Sequence, residues 1–208
     1  DRDLWTVTVE GKVTRLTEDG YTHDDLAFSP DGRFLSYTRG LGTDMIIEEK
    51  RNHGGPNDLY ILPVGVEANG NGTEPINLTP AWDLEPQGVR WSPDSRYLYF
   101  TAGIGGATHL FRVAASGGEV EQITKGERRL GGLSIDRDFT TIAYTVGLFE
   151  TPDDVYEASI DGSNEKKLTD VHGDVAREIA FSRAERLLYR SGDGTPVEGW
   201  LLYPYGYD

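Results

Sequence analysis

Residues 29–38 are Ser-Pro-Asp-Gly-Arg-Phe-Leu-Ser-Tyr-Thr, and residues 92–101 repeat the pattern as Ser-Pro-Asp-Ser-Arg-Tyr-Leu-Tyr-Phe-Thr. In the first four residues, proline presets φ for the second position of a turn, aspartate suits the third, and glycine accepts the positive φ that closes a hairpin. The β-branched and aromatic residues that follow favour a strand. A weaker third copy begins at Ile135 and leads into a run at 141–145. The recurrence indicates an internal repeat built from short strands.

Two further signatures recur in step with this turn, an Asp-Leu-Tyr type of segment and a Leu-Thr pair. The first lies at 3–5, 58–60, 109–111 and 154–156, and the second at 16–17, 78–79, 123–124 and 168–169. Thr79, Thr124 and Thr169 are 45 residues apart, whereas the step from Thr17 to Thr79 is 62 residues and therefore contains an insertion. A period near 45 with several short strands per unit is typical of a β-propeller, whose blades are four-stranded antiparallel sheets.

The sequence therefore predicts an all-β chain, a partial β-propeller of about three and a half four-stranded antiparallel blades. We place a half blade at 1–17 and blades at 22–79, 84–124 and 130–169. Propellers close with about 4–8 blades, and an open face that leaves about four large side chains uncovered forgoes roughly 6–12 kcal/mol of burial. We therefore expect either that missing blades precede Asp1 or that copies of the chain complete one another.

The repeat stops after Thr169. We interpret 170–184 as a connector, although 178–181 could equally form a strand. A helix there would place four apolar residues on one face, namely Val175, Ala176, Ile179 and Ala180. Residues 185–208 contain two apolar runs around Gly192-Asp193-Gly194, which predicts a β-hairpin.

Residues 189–204 are Tyr-Arg-Ser-Gly-Asp-Gly-Thr-Pro-Val-Glu-Gly-Trp-Leu-Leu-Tyr-Pro. This segment resembles the opening of the α/β-hydrolase domain in the prolyl oligopeptidase family, in particular its acylaminoacyl-peptidase and dipeptidyl-aminopeptidase branches. In that family a β-propeller with similar blade signatures precedes the hydrolase domain. The resemblance implies that the chain is the gating, substrate-selecting part of a serine peptidase that hydrolyses short peptides, and that 185–208 begin its hydrolase domain. TolB-like propellers share the blade signatures, so a non-enzymatic protein-binding propeller is the alternative, although it leaves 193–204 without a purpose.

The catalytic residues of such a peptidase are not expected within this chain. The family's nucleophile lies in a Gly-x-Ser-x-Gly elbow, which the sequence lacks, so the resemblance implies that the triad lies beyond Asp208. His53-Gly54-Gly55-Pro56 is similar to the family's oxyanion-hole sequence. It follows a charged stretch instead of a buried apolar strand, and we interpret it as a loop. We therefore assign no catalytic residue.

Glu48 and Glu49 are the candidate substrate-binding residues. They lie in the longest insertion, between Thr38 and Asp58. In the dipeptidyl-peptidase branch, paired glutamates on a propeller insertion hold the free amino terminus of the substrate, and the resemblance implies the same role here. Two carboxylates suit an ammonium group, which offers three donors and a full charge. The alternative is a solvated Glu-Glu-Lys-Arg run that is neutralised by its own neighbours.

The composition narrows the classes of partner. A formal net charge of −15 argues against nucleic acid or an anionic membrane as a partner, and no run approaches the roughly 18 apolar residues of a membrane helix. The absence of cysteine excludes disulfides, thiolate metal sites and a cysteine nucleophile. The four histidines lack metal-ligand spacing, so no metal or other cofactor is expected. The expected partners are a peptide substrate in the full-length protein, the missing blades and the hydrolase domain; a homo-oligomer and the choice between cytoplasm and periplasm stay open.

Overall fold

The computed structural model describes residues 2–50, 57–64, 74–148, 151–204 and 206–207. The described chain consists of short strands joined by turns, with two six-residue helices. It divides into two compact units. The first comprises residues 1–102 and 110–122, and the second comprises residues 103–109 and 123–208.

The first unit begins with a two-stranded antiparallel sheet and continues with a four-stranded antiparallel sheet in sequential order. The two strands are β1 (Trp5–Val7) and β2 (Val13–Arg15). The four are β3 (Thr22–Phe28), β4 (Phe34–Gly40), β5 (Asp58–Pro63) and β6 (Ile76–Asn77). Helix α1 (Thr43–Glu48) lies in the insertion between β4 and β5.

Two further sets of four strands follow, each again in sequential order. The first set is β7 (Gln87–Trp91), β8 (Tyr97–Ile104), β9 (Ala107–Ala114) and β10 (Glu121–Gln122). The second is β11 (Arg129–Ile135), β12 (Thr141–Leu148), β13 (Thr151–Ser159) and β14 (Lys166–Lys167). The prediction of an all-β partial propeller built from four-stranded sheets is confirmed.

After the last sheet the chain forms helix α2 (Gly173–Glu178) and then a hairpin. The helical alternative is thus found at the start of the predicted connector, while residues 179–183 form neither helix nor strand. Strands β15 (Ala184–Arg190) and β16 (Pro196–Leu202) pair antiparallel over their full length. The predicted hairpin is confirmed, and its turn is closed by the carboxylate of Asp193, which accepts from the backbone N–H of Thr195 at 2.9 Å.

The Ser-Pro-Asp turns are held by hydrogen bonds between their own side chains and backbone. Ser29 Oγ donates to Asp31 Oδ1 at 2.6 Å and accepts from the backbone N–H of Phe34 at 3.0 Å. The hydrogen bond from Ser29, together with those from Arg33, lowers the pKa of Asp31 to about 2. Ser92 makes the same two bonds in the second copy. In these two copies the serine and the aspartate satisfy each other and the turn, whereas in the third copy Asp136 alone accepts from the backbone N–H of Thr141 at 2.8 Å.

A second recurring device, here called the clasp, joins the third strand of a sheet to the threonine that ends it. In three of the repeats the threonine Oγ1 accepts from the backbone N–H of the residue that follows the aspartate, at 2.9 Å. The same hydroxyl donates to the aspartate carboxylate. The pairs are Asp3–Thr17, Asp58–Thr79 and Asp154–Thr169. In the fourth repeat His109 replaces the aspartate, and its Nδ1 lies 3.2 Å from Thr124 Oγ1. The two sequence signatures recur in step because they are the two halves of one contact.

The core of the first unit lies between neighbouring blades. Leu59, Ile61, Leu98 and Phe100 are all fully buried there and belong to one apolar cluster. Trp91 joins the two sheets directly, since its Nε1 donates to Ser36 Oγ at 2.9 Å across the interface. Face-to-face packing of this kind is how propeller blades bury their apolar surfaces.

Candidate functional site

Helix α1 carries the two glutamates predicted to bind substrate. Glu48 is its last residue, Glu49 is its C-cap, and both side chains are exposed. The side chain of Met45 lies over Gly20, where an added Cβ would be 3.3 Å from the Met45 methyl carbon. The helix is therefore anchored beside the turn that precedes β3, and it presents the glutamates at its outer end.

The position of these glutamates costs the helix stability. A helix C-terminus is the negative end of its dipole, where acidic side chains are disfavoured by about 0.3–1 kcal/mol each. The last turn of α1 has no basic residue, and its one acidic residue in the first turn is Asp44. Local helix stability therefore does not explain why the acidic pair is at this end.

A polar and aromatic cluster, formed by Tyr21, His23, Tyr37, Arg39 and Tyr60, lies where the insertion leaves β4. The guanidinium of Arg39 is 4.3 Å from the ring centre of Tyr21 and 4.0 Å from that of Tyr60. It also donates to the Tyr60 hydroxyl at 2.7 Å. The ring of Tyr37 stacks on that of Tyr60 at 5.8 Å and contacts the imidazole of His23 at 5.2 Å. Sequence reasoning missed this cluster because its members share no spacing.

The cluster is built to hold its own groups in place. Burial raises the pKa of Tyr37 to about 12, so this phenol stays protonated. The Tyr37 hydroxyl and His23 Nε2 are buried without a hydrogen-bond partner among the described residues, although His23 Nε2 lies 3.4 Å from Asp19 Oδ2. Solvent does not reach these two atoms, so they do not meet a substrate, and we assign Tyr37 and His23 a supporting role at the base of the insertion.

The described residues offer no other catalytic constellation. His23 and His109 are buried, and His172 occupies the N-cap position of α2 without a side-chain capping hydrogen bond. In the parts of the chain that the structure covers, no three His, Cys, Asp or Glu side chains converge as metal ligands. Neither described helix is long and apolar enough to cross a membrane. His53-Gly54-Gly55-Pro56 lies outside the described residues.

Repeated sets of four antiparallel strands, each closed by a clasp, define this chain as part of a β-propeller, here followed by a hairpin. No model of a known protein family matches it. It is 25% identical over 199 residues to dipeptidyl-peptidase 5 of Porphyromonas gingivalis, an alignment that covers 95% of this chain and 27% of that protein.

Two solved structures illustrate the likeness in fold. An acylaminoacyl peptidase of Pyrococcus horikoshii matches with a TM-score of 0.68 at 20% identity, over 97% of this chain and 28% of that one. A putative TolB from Agrobacterium tumefaciens matches with a TM-score of 0.50 at 19% identity, over 93% of this chain and 63% of that one. The peptidase match is the stronger of the two.

The resemblance noted in the sequence to the prolyl oligopeptidase family is therefore confirmed: the chain is similar to the propeller region of such peptidases. It spans well under half of the length of the curated relatives it matches, 27% of one and 37% of the other.

Proposed function

We propose that the chain is the gating propeller part of a serine peptidase that hydrolyses short peptides, with the catalytic triad outside these residues. The observation that carries the proposal is the alignment with a dipeptidyl-peptidase along 95% of the chain. A TolB-like ring has no use for the β15–β16 hairpin, whereas a propeller followed by a hydrolase domain does.

In this proposal the half blade 1–17 and the blades 22–79, 84–124 and 130–169 form part of the gate. Residues 170–184 connect the propeller to the hydrolase domain, which begins within 185–208. The propeller admits slim, unfolded peptides and excludes folded proteins. Catalysis itself, through an acyl-enzyme that water resolves, belongs to the hydrolase domain.

The first experiment determines the coding sequence on both sides of these codons and expresses the complete protein. We expect roughly 200 or more residues after Asp208, with a Gly-x-Ser-x-Gly elbow followed by an aspartate and a histidine. We also expect the purified protein to be labelled by a fluorophosphonate probe that reacts with activated serines. A stop codon soon after Asp208, or an unlabelled and inactive protein, would refute the proposal and favour the protein-binding propeller instead.

We further propose that Glu48 and Glu49 bind the free amino terminus of the substrate. Both are exposed at the end of an anchored helix, where the helix dipole disfavours them. A substrate ammonium would relieve that repulsion and gain charge-assisted hydrogen bonds, each contributing about 1.5–3 kcal/mol.

The test measures kcat/KM in the complete enzyme for one peptide in two forms, with a free and with an acetylated amino terminus. We expect Glu48→Gln and Glu49→Gln each to lower kcat/KM for the free-amine peptide by about 10–100-fold and to leave the acetylated peptide unaffected. Asp44→Asn is the matched control, because it removes one negative charge from the other end of the same helix. Equal values for the free-amine peptide in all three variants and the unaltered enzyme would rule the role out.

A further inference from the structure

The turn between β8 and β9 consists of two glycines with unusually close neighbours. Gly105 and Gly106 have φ values of +56° and +73°, and two central residues with positive φ are characteristic of a type I′ hairpin turn. Asparagine or aspartate can often occupy such positions, so the backbone conformation alone does not explain two glycines.

The space around these glycines gives the second reason. A Cβ added to Gly106 would lie 2.7 Å from Nε1 and 2.9 Å from Cε2 of the Trp200 indole. A Cβ added to Gly105 would lie 2.9 Å from Nη2 of Arg186. The indole therefore rests directly on the backbone of the turn, which only glycine permits. These contacts join the turn to the β15–β16 hairpin.

Glu198 holds the two hairpin side chains in position for this contact. Its Oε2 accepts from Arg186 Nη2 at 2.6 Å, and its Oε1 accepts from Trp200 Nε1 at 3.0 Å. Arg186 and Trp200 are directly opposed across the hairpin, so all three side chains lie on the same face of it. One carboxylate thus fixes both the guanidinium and the indole against the two glycines.

The β8–β9 turn is also hydrogen-bonded to strand β11. Gly106 O accepts from Arg129 Nε at 3.2 Å, and Arg129 pairs with Thr108 where β11 meets β9 in parallel. The turn that the hairpin contacts is thus hydrogen-bonded to the residue that begins β11. We name the set Gly105, Gly106, Arg186, Glu198 and Trp200 the hairpin seat.

We propose that the hairpin seat is a positioning element, which fixes the hairpin to the blade and thereby sets how far the chain that follows Leu202 can move away from that blade. This inference rests on the proposed function. In a peptidase, the hairpin leads into the catalytic domain, so the seat determines how wide a peptide the gate admits. A weaker seat lets the two domains separate further and admits longer peptides.

The test compares Gly106→Ala with Gly117→Ala in the complete protein. Gly117 has a φ of +83° in another hairpin turn, and an added Cβ there meets nothing within 4 Å. Both variants therefore have the same backbone strain, but only Gly106→Ala displaces the Trp200 indole. We expect amide hydrogen exchange in 184–202 to become at least about tenfold faster in Gly106→Ala and to stay unchanged in Gly117→Ala.

The functional readout is the ratio of kcat/KM for a peptide of about 20 residues to that for a dipeptide ester. We expect this ratio to rise several-fold in Gly106→Ala and not in Gly117→Ala. Unchanged exchange in 184–202 would overturn the seat itself, and faster exchange with an unchanged ratio would overturn its positioning role. If Gly106→Ala does not fold, Trp200→Phe replaces it, since it removes the Nε1–H donor and leaves the glycines intact.

Hydrogen exchange separates this inference from the proposed function. If the unaltered protein neither reacts with a fluorophosphonate nor cleaves peptides, the peptidase proposal fails and the positioning of a catalytic domain fails with it. The exchange comparison does not depend on activity. Even for an inactive protein, the exchange comparison shows whether the glycine turn fixes the hairpin.

Discussion

The clasp can be tested by changing Thr79 in two ways. Thr79→Val keeps the volume and shape of the side chain and removes the hydroxyl. Thr79→Ser keeps the hydroxyl and removes the methyl group. Thr79 is 1% exposed, so both changes affect buried groups. Which variant has the lower free energy of unfolding shows whether hydrogen bonding or packing stabilises the end of the blade.

The structure gives the expected magnitudes. In Thr79→Val the buried backbone N–H of Leu59 loses its acceptor at 2.9 Å, and Asp58 Oδ1 loses a donor at 3.1 Å. An unpaired buried N–H costs about 1–3 kcal/mol, and Asp58 keeps a hydrogen bond from Asn77. We therefore expect a loss of about 2–4 kcal/mol for valine and about 1 kcal/mol for serine, the value of one buried methyl group.

Urea unfolding, followed by tryptophan fluorescence, measures both losses as shifts in midpoint at constant slope. Thr79→Val should unfold at clearly lower urea than Thr79→Ser, although valine is the bulkier and more apolar residue. If serine is the more destabilising of the two, packing and not the clasp holds the strand. The clasp would then not be the reason why the Leu-Thr signature recurs.

Two other predictions concern single residues. Burial, and after it the positive charge of Arg128, lowers the pKa of His109 below its ordinary value. As pH falls, His109 is therefore protonated in the unfolded chain before it is protonated in the folded one. The free energy of unfolding consequently decreases as pH drops below about 6.5. His109→Asn should remove this loss, which urea unfolding at about pH 8 and about pH 5 measures. Trp91→Phe removes the indole donor that bridges the two blades, and it should lower the free energy of unfolding by about 1–2 kcal/mol. Trp5 is 57% exposed, so Trp5→Phe is the control and should stay within about 0.5 kcal/mol of the unaltered protein in the same assay.

The repeat was predictable from the sequence because its causes are local. A serine and an aspartate two residues apart satisfy each other and the turn that they form, as Ser29 and Asp31 do, so the pattern is visible without any partner. The clasp was visible only as two separate signatures. The bond between Asp58 and Thr79 depends on which strands pair, and short-range patterns do not contain that information.

The contacts that depend on distant parts of the chain were not predictable. The sequence indicates a glycine turn at Gly105 and Gly106, but nothing in it shows that Trp200 lies on that turn. The polar and aromatic cluster around Arg39 likewise consists of residues from three strands and the loop before them, with no common spacing. Such contacts arise from tertiary packing, which overrides local preference.

The candidate functional features all lie where this chain departs from its own repeat. The clasp and the Ser-Pro-Asp turn recur because every blade must close, so their residues are accounted for by folding. The acidic end of α1 lies in the longest insertion of the sequence, and the helix dipole disfavours it. The glycines of the hairpin seat give up side-chain packing in the blade so that the indole of a later hairpin can approach. Local choices that work against stability are where a functional demand is expected, and the two departures correspond to the two demands proposed above, which concern the substrate and the second domain.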